Sequence, residues 1–365
     1  MVVSVVLLVA CTLSVGAFAL RSTRVGDDFD FVRWEIATLP NKWLYRLGAP
    51  VRDDPPADEA IERYFTLSDR DSEAARELEN TVEASIEGRI DTVLGELGVD
   101  WPVGVFGVWP PVDVELAGSP RVLVISPRER IERIETDTLR PDLTTAEAET
   151  IENQTEAQDG DRSALVVGTG GISTYPAVVS NRDSYEDIVS TAAHEWAHHY
   201  LSVYPLGRAY FGSNDARVIN ETVADFVGDE VGRLILQRWP APGAPASLPP
   251  PSAMPSVDFD SVMRNLRIEV DGLLSAGRIE DAERRMEVVR QELAGGGIRI
   301  RRINQAYFAW YGTYAARPDS VDPLGSQLRT LRERTGSLRW FLVLVRGATS
   351  RDDIARLVAS SASSP

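Results

Sequence analysis

The chain's three histidines, His194, His198 and His199, fall within six residues, and this clustering constrains the fold more than any other feature. They stand in His194-Glu195-Trp196-Ala197-His198, an HExxH pattern, followed by His199. Residues 188–203 contain neither proline nor glycine, so a helix is expected there. Positions i and i+4 of a helix share a face, one above the other, so His194 and His198 can grip one metal ion. Glu195 lies beside them, placed to act on water as a general base. His199 points about 100° away around the helix and cannot join them. The single cysteine is Cys11, so no disulfide within the chain and no cysteine-ligated metal site can form. A carboxylate must complete a three-ligand site.

Residues 220–225 read Asn-Glu-Thr-Val-Ala-Asp, and Glu221 stands 23 positions after His198 on a second expected helix, 218–238. Over residues 188–230 the sequence resembles the gluzincin clan of zinc metallopeptidases, which pairs HExxH with a downstream NExxA or NExxSD. The metzincin pattern is excluded, because Leu201 and Tyr204 stand where its Gly and His would be. The resemblance implies a zincin-like fold, one Zn²⁺ per chain, Glu221 as third ligand, and Asp225 as the acid that steadies His194 through its other ring nitrogen. It also implies an edge strand ahead of the HExxH helix that pairs with an extended peptide or protein substrate. Residues 163–179 occupy that place, with Gly170 and Gly171 giving access to the backbone. The Gly168-Thr169-Gly170-Gly171 run lacks the spacing and lysine of a phosphate loop. Gluzincins use a Tyr or His to meet the oxyanion, and no histidine is left for that role. A helix expected over 300–315 carries Tyr307, Tyr311 and Tyr314 near one face; Tyr314 is preferred to Tyr311, with Arg301 or Arg302 as alternatives. The stretch 301–314 is also similar to the C-terminal part of uncharacterised bacterial predicted aminopeptidases, from which no exopeptidase function is carried over.

Elsewhere the pattern alternates between helix and strand. Leu78, Val82, Ile86, Ile90, Val93 and Leu97 recur every three or four residues and predict a helix over 70–98. Strands are expected at 102–106, 112–116, 121–126, 163–167 and 175–179. Thr144 to Glu147 is a capping-box pattern that opens a short helix reaching about residue 157. Helical patterns follow over 184–238, 258–293 (two helices joined near Gly277) and 324–359. The proline-rich run 239–256 is a loop. The fold class is α+β: a strand-bearing lobe with a small mixed sheet and the HExxH helix, 70–200, then an all-helical lobe, 201–365.

Residues 2–20 carry no charge, and as a helix they would span about 28 Å, close to the hydrocarbon thickness of a bilayer. Segment 1–21 is read as a transmembrane anchor or a signal, and Leu8-Val9-Ala10-Cys11 also resembles a lipoprotein lipobox. Residues 22–69 form a juxtamembrane segment rich in aromatics at its start, and the remainder of the chain is placed outside the cytoplasm at the cell membrane. The net charge of −17 repels phosphate backbones and argues against a nucleic-acid partner. The function expected is a membrane-tethered zinc-dependent peptidase that uses metal-activated water with Glu195 as base. The alternatives are a non-hydrolytic zinc-binding interaction or assembly protein, against which the presence of Glu195 argues, and a scaffold without metal.

Overall fold

The computed structural model describes residues 28–29, 57–99, 108–243 and 258–361. Its class is α+β, twelve described helices around two small sheets. The anchor or signal at 1–21, most of the juxtamembrane segment, the strand expected at 102–106 and most of the proline-rich loop lie outside the described residues. Among the described residues, no helix is long and apolar enough to cross a membrane.

The chain enters through α1 (Ala57–Thr66) and α2 (Glu73–Glu96). Ser72 caps α2 by accepting from the Ala75 N–H, which starts the helix three residues later than the apolar period suggests. Leu78, Val82, Ile86, Ile90 and Val93 are buried as expected. The strands are β1 (Val114–Ala117), β2 (Arg121–Pro127), β3 (Glu135–Leu139), β4 (Arg162–Gly168), β5 (Gly171–Ile172) and β6 (Ala177–Ser180), with α3 (Thr145–Gln158) between β3 and β4. They form two sheets rather than one. β2 is the centre of an antiparallel sheet, with β3 and β4 as neighbours. β6 is the centre of a mixed sheet, parallel to β1 and antiparallel to β5. Residues 163–179, expected as one edge piece, are therefore divided: β4 belongs to the first sheet, and the two-residue β5 ends the second.

The helices that follow are α4 (Tyr185–Ser202), α5 (Pro205–Arg208), α6 (Asn214–Arg238), α7 (Phe259–Ser275), α8 (Ile279–Gly295), α9 (Gln305–Tyr311), α10 (Pro323–Thr335), α11 (Leu338–Val345) and α12 (Arg351–Ser361). Three apolar cores result. The largest joins α1, α2 and β1 to α4, α6 and α10 to α12. A second packs α7 to α9 on one face of β2 and β4, and a third packs α3 on the other face.

The helix expected over 300–315 is shorter than its aromatic stripe suggests. Asn304 accepts from the Tyr307 N–H and donates to the Ala164 carbonyl of β4, so tertiary contact fixes the start. Gly312 ends it, and Tyr314 lies beyond the helix, not on a shared face with Tyr307 and Tyr311.

Candidate metal centre

α4 begins at Ser184, which caps it by accepting from the Asp187 N–H. The Trp196 indole donates to the Pro110 carbonyl at 2.8 Å, anchoring the buried face of the helix. α6 runs antiparallel across the opposite face: Ser190 meets Gly232, His194 meets Gly228 and Asp225, and His198 meets Asn220 and Glu221. The approach is close because α6 carries glycine at the crossing. A Cβ at Gly228 would lie 2.7 Å from the Ser190 carbonyl oxygen, and one at Gly232 would lie 2.2 Å from Ser190 Oγ.

This crossing brings three donors together. The Nε2 atoms of His194 and His198 are 3.0 Å apart, and Glu221 Oε2 is 3.5 Å from the first and 3.6 Å from the second. One donor atom from each of the three residues lies within 4.8 Å of the others, so the cluster can hold a metal ion. Each imidazole is held through its remote nitrogen. His194 Nδ1 is 3.1 Å from Asp225 Oδ1, and His198 Nδ1 is 2.6 Å from Asn220 Oδ1. These acceptors keep the proton on Nδ1 and leave the Nε2 lone pairs facing the common point. The other oxygen of Glu221 accepts from the Tyr210 hydroxyl, which leaves Oε2 for the cluster.

Burial alone would raise the Glu221 carboxyl, but the two imidazoles overcome it and hold it well below the usual carboxylate range. Burial likewise opposes charge on His194 and His198, yet Glu221, with Asp225 beside His194, raises both. Glu195 is buried, and that burial raises its carboxyl above the usual carboxylate range. Its Oε1 lies 2.7 Å from where a Gly171 side chain would begin. Gly171 is therefore needed for the approach of Glu195 to β5, a different reason from access of substrate to backbone. Gly170 is less crowded: its Cβ would meet Thr191 Oγ1 at 3.3 Å, and its carbonyl accepts from the Ser180 N–H.

Tyr314 is half-buried, with its ring 6.5 Å from that of His194. The Ala315 N–H donates to Thr222 Oγ1, which ties this turn to α6 beside Glu221. Burial, then the negative charge of Glu221, raises the Tyr314 phenol, so it stays a neutral donor. Tyr311 instead contacts Tyr307 and Arg317. Arg301 and Arg302 pair with Glu152 and Glu156 of α3. His199 turns away as expected: its Nε2 meets the Thr174 carbonyl at 2.6 Å, and burial lowers the imidazole to about 4.

Asn220 and Tyr210 carry no sign of these roles in the sequence. Asn220 stands inside the motif that supplies Glu221, and the two reach different nitrogens of one ring, Nδ1 and Nε2 of His198. Tyr210 lies in the turn after α5, where no periodic pattern marks it. No family model matches the chain, and no curated protein or solved structure matches it.

Proposed function

We propose that the chain is a zinc-dependent peptidase of gluzincin type, tethered to the membrane by residues 2–20 with its catalytic part outside the cytoplasm. The observation that carries this reading is the convergence of His194 Nε2, His198 Nε2 and Glu221 Oε2 beside a buried Glu195. Two imidazoles and one carboxylate are a donor set that suits catalytic zinc with one position left open. Bound there, zinc would supply a Lewis acid for a peptide carbonyl and for water. Asp225 and Asn220 orient the imidazoles, and Tyr210 orients the Glu221 carboxylate. Glu195, raised by burial, takes a proton from water and passes it to the leaving amine. The neutral Tyr314 phenol donates to the oxyanion that develops on the peptide carbonyl. The outer side of β5 offers main-chain groups to an extended peptide, since β5 ends its sheet among the described residues.

Metal analysis and peptide hydrolysis test this. The purified chain is expected to hold one zinc, to lose it on His198→Ala or Glu221→Ala, and to keep zinc but lose hydrolysis on Glu195→Gln. Full, tightly held zinc in Glu221→Ala would remove Glu221 from the ligands. Hydrolysis undiminished in Glu195→Gln would remove the base. The tether is tested separately: the chain fractionates with membranes, and removing residues 1–21 releases it.

A further inference from the structure

Two arginines beside the candidate metal centre pair with no carboxylate among the described residues of this acidic chain. Arg217 lies one helical turn before Glu221 on α6, so residues 217, 221 and 225 line one face. Its guanidinium stacks 5.9 Å from the Tyr210 ring, and its Nε is buried with no hydrogen-bond partner among the described residues. Arg133, in the turn between β2 and β3, comes to the same phenol, and its guanidinium lies 5.3 Å from the Trp310 ring. Among the described residues neither arginine makes a salt bridge, although the net charge is −17. Burial first, and then the charge of Arg133, works against the charge on Arg217.

Stacking on Tyr210 and Trp310 positions the two guanidinium planes; Arg133 also donates to the Tyr210 hydroxyl, whereas the buried Nε–H of Arg217 has no partner among the described residues. A buried donor left without a partner costs about 1–3 kcal/mol, and native structures rarely keep one without a use. Glu221 cannot serve, because one of its oxygens accepts from Tyr210 and the other faces the histidines. An incoming anion of planar, two-oxygen shape would satisfy the forked donors and relieve the repulsion between the two arginines. The exposed side chains of Phe211, beside Tyr210, and Ile134, beside Arg133, add apolar surface of the kind a peptide chain covers.

We propose that Arg133 and Arg217 form a carboxylate-binding subsite that selects peptides presenting a carboxylate next to the metal centre. This rests on the peptidase reading above for its substrate class. The carboxylate has two sources, the C-terminus of a peptide or an acidic side chain within it.

The test uses the full chain carrying Glu195→Gln, loaded with zinc, and reads binding rather than turnover. Three fluorescein-labelled alanine pentapeptides serve as probes: a free C-terminal acid, its C-terminal amide, and the amide with one central glutamate. Fluorescence anisotropy is expected to show one carboxylate form bound about 10–100-fold more tightly than the plain amide, as charge-assisted hydrogen bonds allow. Which form gains identifies the source. Arg217→Gln and Arg133→Gln are expected to remove that preference while leaving affinity for the amide unchanged. Neither variant breaks an ion pair, so thermal unfolding should stay near that of the parent, and Arg133, in a turn, provides a variant independent of α6. Three peptides bound alike, or equally undetected, would overturn the subsite, and so would a preference that survives both substitutions. If the wild-type chain cleaves no peptide yet the arginine-dependent preference holds, the peptidase reading fails and the subsite stands.

Discussion

Gly171→Ala probes the contact that sets Glu195 in place. The backbone at Gly171 is not left-handed, so alanine meets no conformational penalty there, and the effect is steric. Its Cβ would lie 2.7 Å from Glu195 Oε1, 2.9 Å from Thr191 Cγ2 and 2.9 Å from the Val178 carbonyl oxygen. Ordinary contact begins at 3.4 Å, so the carboxylate must retreat by about 0.7 Å, or β5 must leave β6. Val178 O belongs to the backbone of β6 and yields least, so the Glu195 side chain takes most of the displacement. Overpacking of this kind costs about 1–3 kcal/mol of stability. A shift approaching 1 Å in a catalytic group costs up to about 10² in rate. Denaturant unfolding should therefore show a loss within that range, zinc content should be unchanged, and turnover should fall by about 10–100-fold. A double-mutant cycle with Glu195→Ala isolates the contact: removing the carboxylate should restore part of the stability lost in Gly171→Ala. Wild-type turnover and stability in Gly171→Ala, or strict additivity in the cycle, would refute the steric reasoning.

Tyr314→Phe should lower turnover by about 10²–10³ with zinc and stability nearly intact, whereas Tyr311→Phe should change turnover little; steady-state kinetics on both compares them. Asp225→Asn should weaken zinc binding by about 10–100-fold, measured by competition with a chelator, because His194 then loses its charged partner. His199 gives a pH signature. Its native imidazole, held by burial at about 4, stays neutral where the unfolded chain, titrating near about 6.5, takes a proton. The unfolded state then binds more protons, so stability is lost as pH falls from about 6.5 toward 4. By pH 4.5 the loss is about 2–3 kcal/mol, and a wild-type curve parallel to that of His199→Gln in urea unfolding would contradict it.

What the sequence made legible was whatever one element could express by itself. HExxH is a spacing rule within α4, and the apolar period of α2 is a rule within one helix. Both were readable because side-chain direction follows from helical geometry alone. β3 was missed because Glu135–Leu139 has no apolar alternation: its strand exists through pairing with β2, Arg121 opposite Leu139 and Ile125 opposite Glu135. The length of α9 was misjudged because its start is set by Asn304 reaching β4, a contact across 140 positions. Tyr210 and the role of Gly171 were invisible for the same reason. Each matters through an atom that the fold delivers from far away in the chain: Glu221 to the first, Glu195 to the second.

The donors of the candidate centre differ in support from the groups that would meet a substrate. His194, His198, Glu221, Asp225 and Asn220 all stand on α4 and α6, and the crossing of those helices is fixed by Gly228 and Gly232 against Ser190. The backs of both helices are part of the largest apolar core, so the ligand geometry can change only if that core changes. Arg133 and Tyr314 come instead from turns, where altered length or conformation costs little. On the proposed reading, metal binding is therefore tied to the stability of the α4–α6 pair, while Arg133 and Tyr314 are free to vary around it. Substitutions at the helix crossing should lower stability and metal affinity together, and substitutions of Arg133 or Tyr314 should change substrate handling with both preserved.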